Sequence, residues 1–516
     1  MTPKAHDPLI DLVAAIDVGS NALRMQIFGR NRRGEIRVLA TLRRPIRLGK
    51  DVFHKGRILE PSFHDGLEAL KEFRRAIDEK GIQRIAAVAT SAVREAANGG
   101  TFVEQAGREA RIPLQIIDGS EEARLIITSF LERLPLHDKT AMHVEVGGGS
   151  VEVSIIKNGG IQFTITQKLG AVRLLELLNL PVEGDQTFSG ILEDYLTSTH
   201  KRLRAALGGK KIDRFVVTGG NIESLVWLIE HQSWGTIQHR DGVPVISRTQ
   251  LRKAIHRISG YSFRERVDLL GLRPDRADVI LPAGLVYASF AEMAGAVWCH
   301  APGGGVREGL AIELFRAAEE PHQRQKQRHL RSAIRALGEK YQNDERHAEN
   351  VTEYATRIFD ALRSVHGLGE AARTLLSAAG LLHDIGYYVE PSRHHKHSYY
   401  LISESDIVGL SPRDRLLVAN VARYHRKAHP SEDHHHFAVL SQQEKVLVRQ
   451  LSAILRVADA LDREHASQQG KLVIRRQKTR LYLKLSSAQS LQLNRWAMNA
   501  KAELLHEVFG LEVVVI

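Results

Sequence analysis

The chain has 516 residues, 43% apolar and 26% charged, which calls for a globular protein with several cores rather than one. No run of about 18 apolar residues is present to span a bilayer. The first dozen residues lack a signal-peptide pattern, and a lone cysteine, Cys299, excludes an internal disulfide, so the expected compartment is the cytoplasm. A net charge of +12 points to a polyanionic partner. Only 6% of residues are aromatic and no basic stripe is interleaved with stacking rings, which disfavours specific nucleic-acid binding and suits a polymer of phosphate without bases.

In chain order, Val13 to Ile16 predict a short strand that delivers Asp17, Gly19, Ser20 and Asn21 before a second strand, Ala22 to Phe28, and a third, Ile36 to Leu42. Pro61 to Lys80 carry Phe63, Leu67, Leu70, Phe73 and Ile77 at helical spacing, with Gly81 as the stop. The strand Ile85 to Ala89 ends in Thr90, Ser91 and Arg94, and at such a strand end Arg94 is placed to hold a phosphate oxygen. Another strand, Leu114 to Ile117, leads into Asp118, Gly119, Ser120, Glu121 and Glu122. Ser120 reads as the N-cap of a helix, and either Glu121 or Glu122 as a general base facing the ligand crevice.

From Glu145 to Glu152 the chain reads Glu-Val-Gly-Gly-Gly-Ser-Val-Glu between two apolar strands, with a third strand at Ile161 to Thr166. Three glycines free the backbone N–H groups to converge on an anion, and Ser150 adds a hydroxyl. The order strand, acid, glycine, hydroxyl, strand is the same as at Asp17 to Asn21. That repetition predicts an internal duplication of a βββαβα unit, with a phosphate chain clamped between the two turns. Further glycine junctions follow at Gly170, at Gly219 and Gly220 with Asn221, and at Gly303 to Gly305 with Arg307, before a helix expected over Leu310 to Ala318.

The composition then changes. Glu319 to Arg331 read as a linker or an exposed helix start, followed by helices carrying Val351, Ala355, Ile358 and Leu362 on one face and others beginning near Ala371, Arg413 and Gln443. His347, the pair His383 and Asp384, and Asp459 lie on helices, where they can converge on one divalent metal. His394, His395, His397, His425 and His429 lie between them and offer a second position. The tail alternates Leu472, Ile474, Leu481, Leu483 and Leu485 with basic residues as a half-buried hairpin does, then predicts a helix over Trp496 to Val508 and a last strand over Leu511 to Ile516.

Four motifs in order resemble the exopolyphosphatase and guanosine pentaphosphate phosphohydrolase family over essentially the whole chain. They are Asp17 to Asn21, Gly119 to Leu125, Gly147 to Ser150 with Glu152, and Gly305 to Gly309. The resemblance implies an α/β fold of two ribonuclease-H-like domains of the actin and sugar-kinase superfamily, at 10–133 and 134–318. An α-helical HD-like domain at 319–468 and a small α/β cap at 469–516 follow. It implies Glu122 and Glu152 as catalytic carboxylates, phosphate loops that include Ser20, Asn21, Gly148, Gly149 and Ser150, and Asp17 with Glu145 as ligands of Mg²⁺ or Mn²⁺. The family usually has aspartate where Glu145 stands, so the longer side chain shifts the ion. His347, His383, Asp384 and Asp459 resemble the metal set of HD phosphohydrolases and imply a second divalent metal. The expected activity is hydrolysis of the terminal phosphoanhydride of inorganic polyphosphate by a cytoplasmic homodimer. A guanosine pentaphosphate 5′-phosphohydrolase is the alternative enzyme, and a non-catalytic polyphosphate- or nucleotide-binding regulator the alternative of another class.

Overall fold

Apolar continuity sets the centre of the first sheet: in β1 (Leu9–Val18) Val13, Ala14, Ala15, Ile16 and Val18 are fully buried, as a strand covered on both faces requires. The computed structural model describes residues 9–178, 186–207, 209, 211–317, 320–462, 471–486, 498 and 501–516, and contacts divide the chain into two units, Met1–His329 and Leu330–Ile516.

In the first unit β1, β2 (Leu23–Asn31) and β3 (Ile36–Arg44) form an antiparallel meander. β4 (Arg84–Ala89) and β5 (Leu114–Ile116) add parallel strands beyond β1, giving the order β3-β2-β1-β4-β5. The second sheet repeats this plan. β6 (Thr140–Val146), β7 (Val151–Lys157) and β8 (Gly160–Gln167) are the meander, with β9 (Arg214–Thr218) and then β12 (Trp298–His300) parallel beyond β6. Its order, β10-β11-β12-β9-β6-β7-β8, adds an edge hairpin of β10 (Gln238–Arg240) and β11 (Val243–Ser247) that the duplication did not anticipate. These are the duplicated units that the repeated motif order predicted, with the ribonuclease-H-like fold that the family resemblance implied.

Helices cover the sheets. The helix Glu60–Glu79 buries Leu67, Leu70, Phe73 and Ile77, the expected face, and Gly81 follows it at φ +63°. The helix Gly119–Phe130 is capped by Asp118 rather than Ser120: the Asp118 carboxylate accepts from the Glu121 N–H at 2.9 Å, and the Ser120 hydroxyl donates to Asp118 at 2.8 Å. The helix after the last glycine cluster starts at Val306 and runs to Arg316, one turn earlier than Leu310. It returns to the first lobe and packs on Gly119–Phe130, where a side chain at Gly309 has no room against the Leu125 carbonyl.

The second unit is mainly helical. Its helices Glu345–Ala361, Glu370–Leu382, His394–Ser403, Pro412–Arg423 and Gln442–Leu461 bury Val351, Ala355, Ile358, Leu376, Val418 and Ile454. Ser411 with Asp414 and Ser441 with Glu444 form capping boxes at two of the starts. The stretch read as a linker or helix start is a helix, Glu320–Lys340. A three-stranded sheet closes the chain: β13 (Lys471–Gln477) and β14 (Arg480–Ser486) form the expected hairpin, and β15 (Glu512–Val515) joins β14 in parallel. Ala318, Glu319 and residues 463–470, where two domain boundaries were expected, lie outside the described residues, as does Trp496; the described helix of the tail is Glu503–Phe509. Among the described residues no helix is long and apolar enough to cross a membrane.

Candidate active site

The two glycine turns are copies in geometry as well as in sequence. Each spans four residues between antiparallel strands and closes with a backbone hydrogen bond from its first residue to its fourth, Gly19 N–H to the Ala22 carbonyl at 3.2 Å and Gly147 N–H to the Ser150 carbonyl at 3.0 Å. Asp17 therefore occupies in the first lobe the place of Glu145 in the second, the next-to-last residue of its strand. Across the hairpin, Arg24 faces Asp17 and Glu152 faces Glu145.

The turns meet. A Cβ on Gly148 would lie 3.2 Å from Ser20 Cβ, and one on Gly149 would lie 2.5 Å from the Phe53 ring and 2.8 Å from Ser20 Oγ, with Ser91 Oγ closer still. Only glycine permits this approach. Ser20 Oγ and Ser91 Oγ share a hydrogen bond of 2.8 Å, and Ser150 lies buried beside them. Between the lobes is a cleft, open to solvent, whose wall includes Asp17, Ser20, Asn21, Gly148, Ser150 and both Glu122 and Glu145.

Three helices begin at the cleft wall, at Ala171, at Gly220 and at Val306, and aim their N-termini into it. Gly219, at φ +101°, lets the chain pass within 2.8 Å of a Glu145 oxygen from the position a Cβ would take. Three arginines add charge. Arg276 donates to Asn221 Oδ1 at 2.6 Å, Arg307 donates to Gln26 at 2.8 Å while its other arm lies 4.0 Å from Asp17, and Arg24 completes the set. Burial lowers Arg276 and Arg307 to about 10, which leaves both cationic at neutral pH.

Facing these cations are half-buried and buried carboxylates. Glu121 is occupied: it takes a bidentate pair from Arg124 at 2.7 Å, and the guanidinium is also held 2.6 Å from Glu313. Glu122 is left to the cleft, and its buried Oε2 has no hydrogen-bond partner. Burial first, and then the charge of Glu152, push the Glu122 carboxyl well above the usual range, with Arg94 opposing. Glu152 is fully buried behind the wall, both of its oxygens lack a hydrogen bond of ordinary geometry, and burial raises it to about 7 against the influence of Ser150 and Arg94. Burial raises Glu145 to about 8, although Thr218 donates a hydrogen bond to it.

A chain of this build matches the Ppx/GppA phosphatase family over residues 27–317 and that family's domain III over residues 330–508. The chain belongs to the Ppx/GppA phosphatase family. It is 26% identical over 437 residues, 82% of each chain, to a guanosine-5′-triphosphate,3′-diphosphate pyrophosphatase of Photobacterium profundum. To the protein of that name in Aliivibrio fischeri strain ES114 it is 26% identical over 455 residues, 86% of each. Two solved structures share the fold. An exopolyphosphatase from Cytophaga hutchinsonii matches at a TM-score of 0.55 and 22% identity, over 60% of this chain and 98% of that one. A Ppx/GppA family member from Aquifex aeolicus matches at 0.50 and 24%, over 61% and 100%.

Within this Ppx/GppA phosphatase the expected site residues fall into three groups. Asp17, Ser20, Asn21, Glu122, Glu145, Gly148 and Ser150 share the cleft wall, and Gly149 packs directly behind it. Arg94 and Glu152 stand one layer back: Arg94 donates to the Ile117 carbonyl at 2.6 Å and acts on both glutamates by its charge. In the second unit His347, His383, Asp384 and Asp459 come together: the Nε2 atoms of the two histidines are 3.3 Å apart and each is 3.6 Å from Asp384 Oδ2. Arg24 and Arg276 were missed because single arginines in a basic chain have no local signature, although the hairpin register that sets Arg24 opposite Asp17 was open to reading.

Proposed function

We propose that the cleft hydrolyses a terminal phosphoanhydride, with inorganic polyphosphate as the substrate. The observation that carries this is Glu122: a carboxylate with a free buried oxygen, raised in basicity, standing between two glycine turns and three helix N-termini. The turn N–H groups, the hydroxyls of Ser20 and Ser150, and Arg24, Arg276 and Arg307 bind and orient the terminal phosphoryl group. Glu122 orients a water in line with the bridging oxygen and takes its proton. Glu152 and Arg94, which touch neither water nor substrate, set the basicity of Glu122 from behind.

Asp17 and Glu145 offer an oxygen donor pair in the cleft wall that suits Mg²⁺ or Mn²⁺, and such an ion, when bound, would neutralise phosphoryl oxygens. Glu145 lines the cleft beside Thr218 and Gly219, and its extra methylene relative to aspartate lengthens the reach of the donor oxygen. In the second unit we assign His347, His383, Asp384 and Asp459 to a further divalent metal. The homodimer and the cytoplasmic compartment implied by the family resemblance belong to the same proposal.

A guanosine pentaphosphate substrate is the second reading, favoured by the printed names of the two bacterial relatives. Against it, the described cleft wall includes no aromatic ring to stack a base, and the net charge of +12 suits a long polyanion. Phosphate release from long-chain polyphosphate and from guanosine pentaphosphate, at equal concentrations of chain ends, separates the two. Faster release from the polymer is expected, and release from the nucleotide alone reverses the order.

A further inference from the structure

The duplicated lobes place two acids at equivalent positions but support them differently. Asp17 and Glu145 are each the next-to-last residue of their strand. Asp17 of β1 pairs in register with Val88 of the parallel neighbour β4, and the residue two places before it, on the same face, is Ala15. Glu145 of β6 pairs with Thr218 of the parallel neighbour β9, and the residue two places before it is His143. The shorter acid therefore has apolar neighbours on its sheet, and the longer one a hydroxyl and an imidazole.

These polar groups form one chain of hydrogen bonds. His143 Nε2 lies 2.8 Å from Thr218 Oγ1, and the same hydroxyl bonds to Glu145 Oε2. His143 and Thr218 are fully buried, and among the described residues Nδ1 of His143 has no hydrogen-bond partner. A buried N–H without an acceptor is rarer than an unfilled lone pair, so the ring's proton sits on Nε2 and Nδ1 stays bare. His143 then donates to Thr218, which leaves the single hydroxyl proton of Thr218 to donate to Glu145. The chain runs in one direction, from imidazole to carboxylate. Its surroundings hold it still: the Tyr287 hydroxyl donates to the Thr218 carbonyl at 2.6 Å, the Phe130 ring packs 5.3 Å from the imidazole, and the missing side chain of Gly219 lets the backbone close on Glu145.

We propose that His143, acting through Thr218, is the positioning residue of Glu145. It fixes the direction of the Thr218 hydroxyl, the hydroxyl holds Oε2, and Oε1 is the oxygen left for the divalent ion of the cleft. A glutamate has one more rotatable bond than an aspartate, so a loose Glu145 loses more side-chain entropy when it takes an ion. The hydrogen-bond chain removes that freedom before the ion arrives, as a partner standing behind a metal ligand does. Asp17, one bond shorter, stands at the matching place with valine and alanine and needs no such support. His143 itself touches neither ion nor substrate.

This rests on the assignment of Glu145 as an ion ligand. The test is Mn²⁺ binding to the full chain, read from the electron paramagnetic resonance of the free ion, with Glu145→Gln defining the part of the binding that belongs to the cleft. Thr218→Val removes the hydroxyl at constant shape and His143→Leu removes the imidazole donor, while Thr218→Ser and His143→Gln keep a donor at each place. Circular dichroism and melting establish that each variant is folded, and Thr218→Val carries the test where His143→Leu is not. The cleft ion is expected to bind about 10–100-fold more weakly to Thr218→Val and His143→Leu, and within about threefold of wild type to Thr218→Ser and His143→Gln. Wild-type affinity in Thr218→Val and His143→Leu overturns the positioning role and leaves Glu145 a ligand. Equal weakening in all four variants reduces the pair to packing and overturns it as well. No difference between wild type and Glu145→Gln overturns the ligand assignment, and the positioning role with it.

Discussion

The cleft and the histidine cluster both gather carboxylates, yet their surroundings suit opposite guests. In the cleft, carboxylates stand among arginines and helix N-termini, beside two glycine turns, and the guest proposed for it is an anion accompanied by a hard cation. In the helical unit the Nδ1 atoms of His347, His383, His394 and His425 each meet an acceptor and their Nε2 atoms face one another, and the guest proposed for it is a cation alone. The difference lies in what surrounds the acids more than in the acids themselves.

Removing the cleft's base breaks the comparison most sharply. Glu122→Gln keeps the shape of the side chain and is expected to cut phosphate release by about 10²–10⁴-fold, the range for a general base, in a steady-state phosphate assay. A smaller but readable effect lies in stability. Glu152 is raised to about 7 in the fold, so its neutral form is favoured there. The stability it contributes is fully present below the usual glutamate value of about 4.3 and is lost as pH rises through about 7, a change of about 3 kcal/mol. Glu152→Gln should remove that slope and raise the Tm at pH 8 above that of wild type, with chelator present and scans taken across pH 5–8.

Steric contact between the turns gives the next test. Gly149→Ala sets a methyl against Ser20, Ser91 and Phe53, at an expected cost of about 1–3 kcal/mol in stability, and should raise KM for polyphosphate at least tenfold by parting the cradles. The smallest effect is expected at the lobe contact. Arg43 pairs with Asp275, whose carbonyl also accepts from Asn21 at 2.9 Å, and Arg47 pairs with Asp278 at 2.7 Å. Arg43→Ala should raise KM only a few-fold, with about 1 kcal/mol or less lost from this partly exposed pair, as read by kinetics and a urea melt.

Much of this was open to reading because glycine runs and acids at strand ends mark a turn wherever they occur, and the same order at Asp17 and at Glu145 exposed the duplication. Glu121 is set apart from Glu122 by a local i,i+3 pair with Arg124 on its own helix, and that arginine is locked in turn by Glu313 from a helix that the chain brings in late. The cap at Asp118 was misplaced by two residues because serine, aspartate and glycine all suit that position, and the hydrogen bond to the Glu121 N–H decides it. The edge hairpin β10–β11 had a signal, Asp241 and Gly242 at positive φ between short strands, but β10 is polar and exposed and shows no alternation. Among the histidines, sequence order offered five extra candidates, and helix ends rather than spacing selected His394 and His425.

The central claim is that the cleft, through Glu122, performs the hydrolysis. The most direct measurement is turnover and binding of long-chain polyphosphate, with Mg²⁺, by wild type and Glu122→Gln side by side. The account predicts that the variant still binds the polymer with an affinity near that of wild type while phosphate release all but disappears. Phosphate release that persists at the wild-type rate in Glu122→Gln would contradict it and move the search to the centre around Asp384.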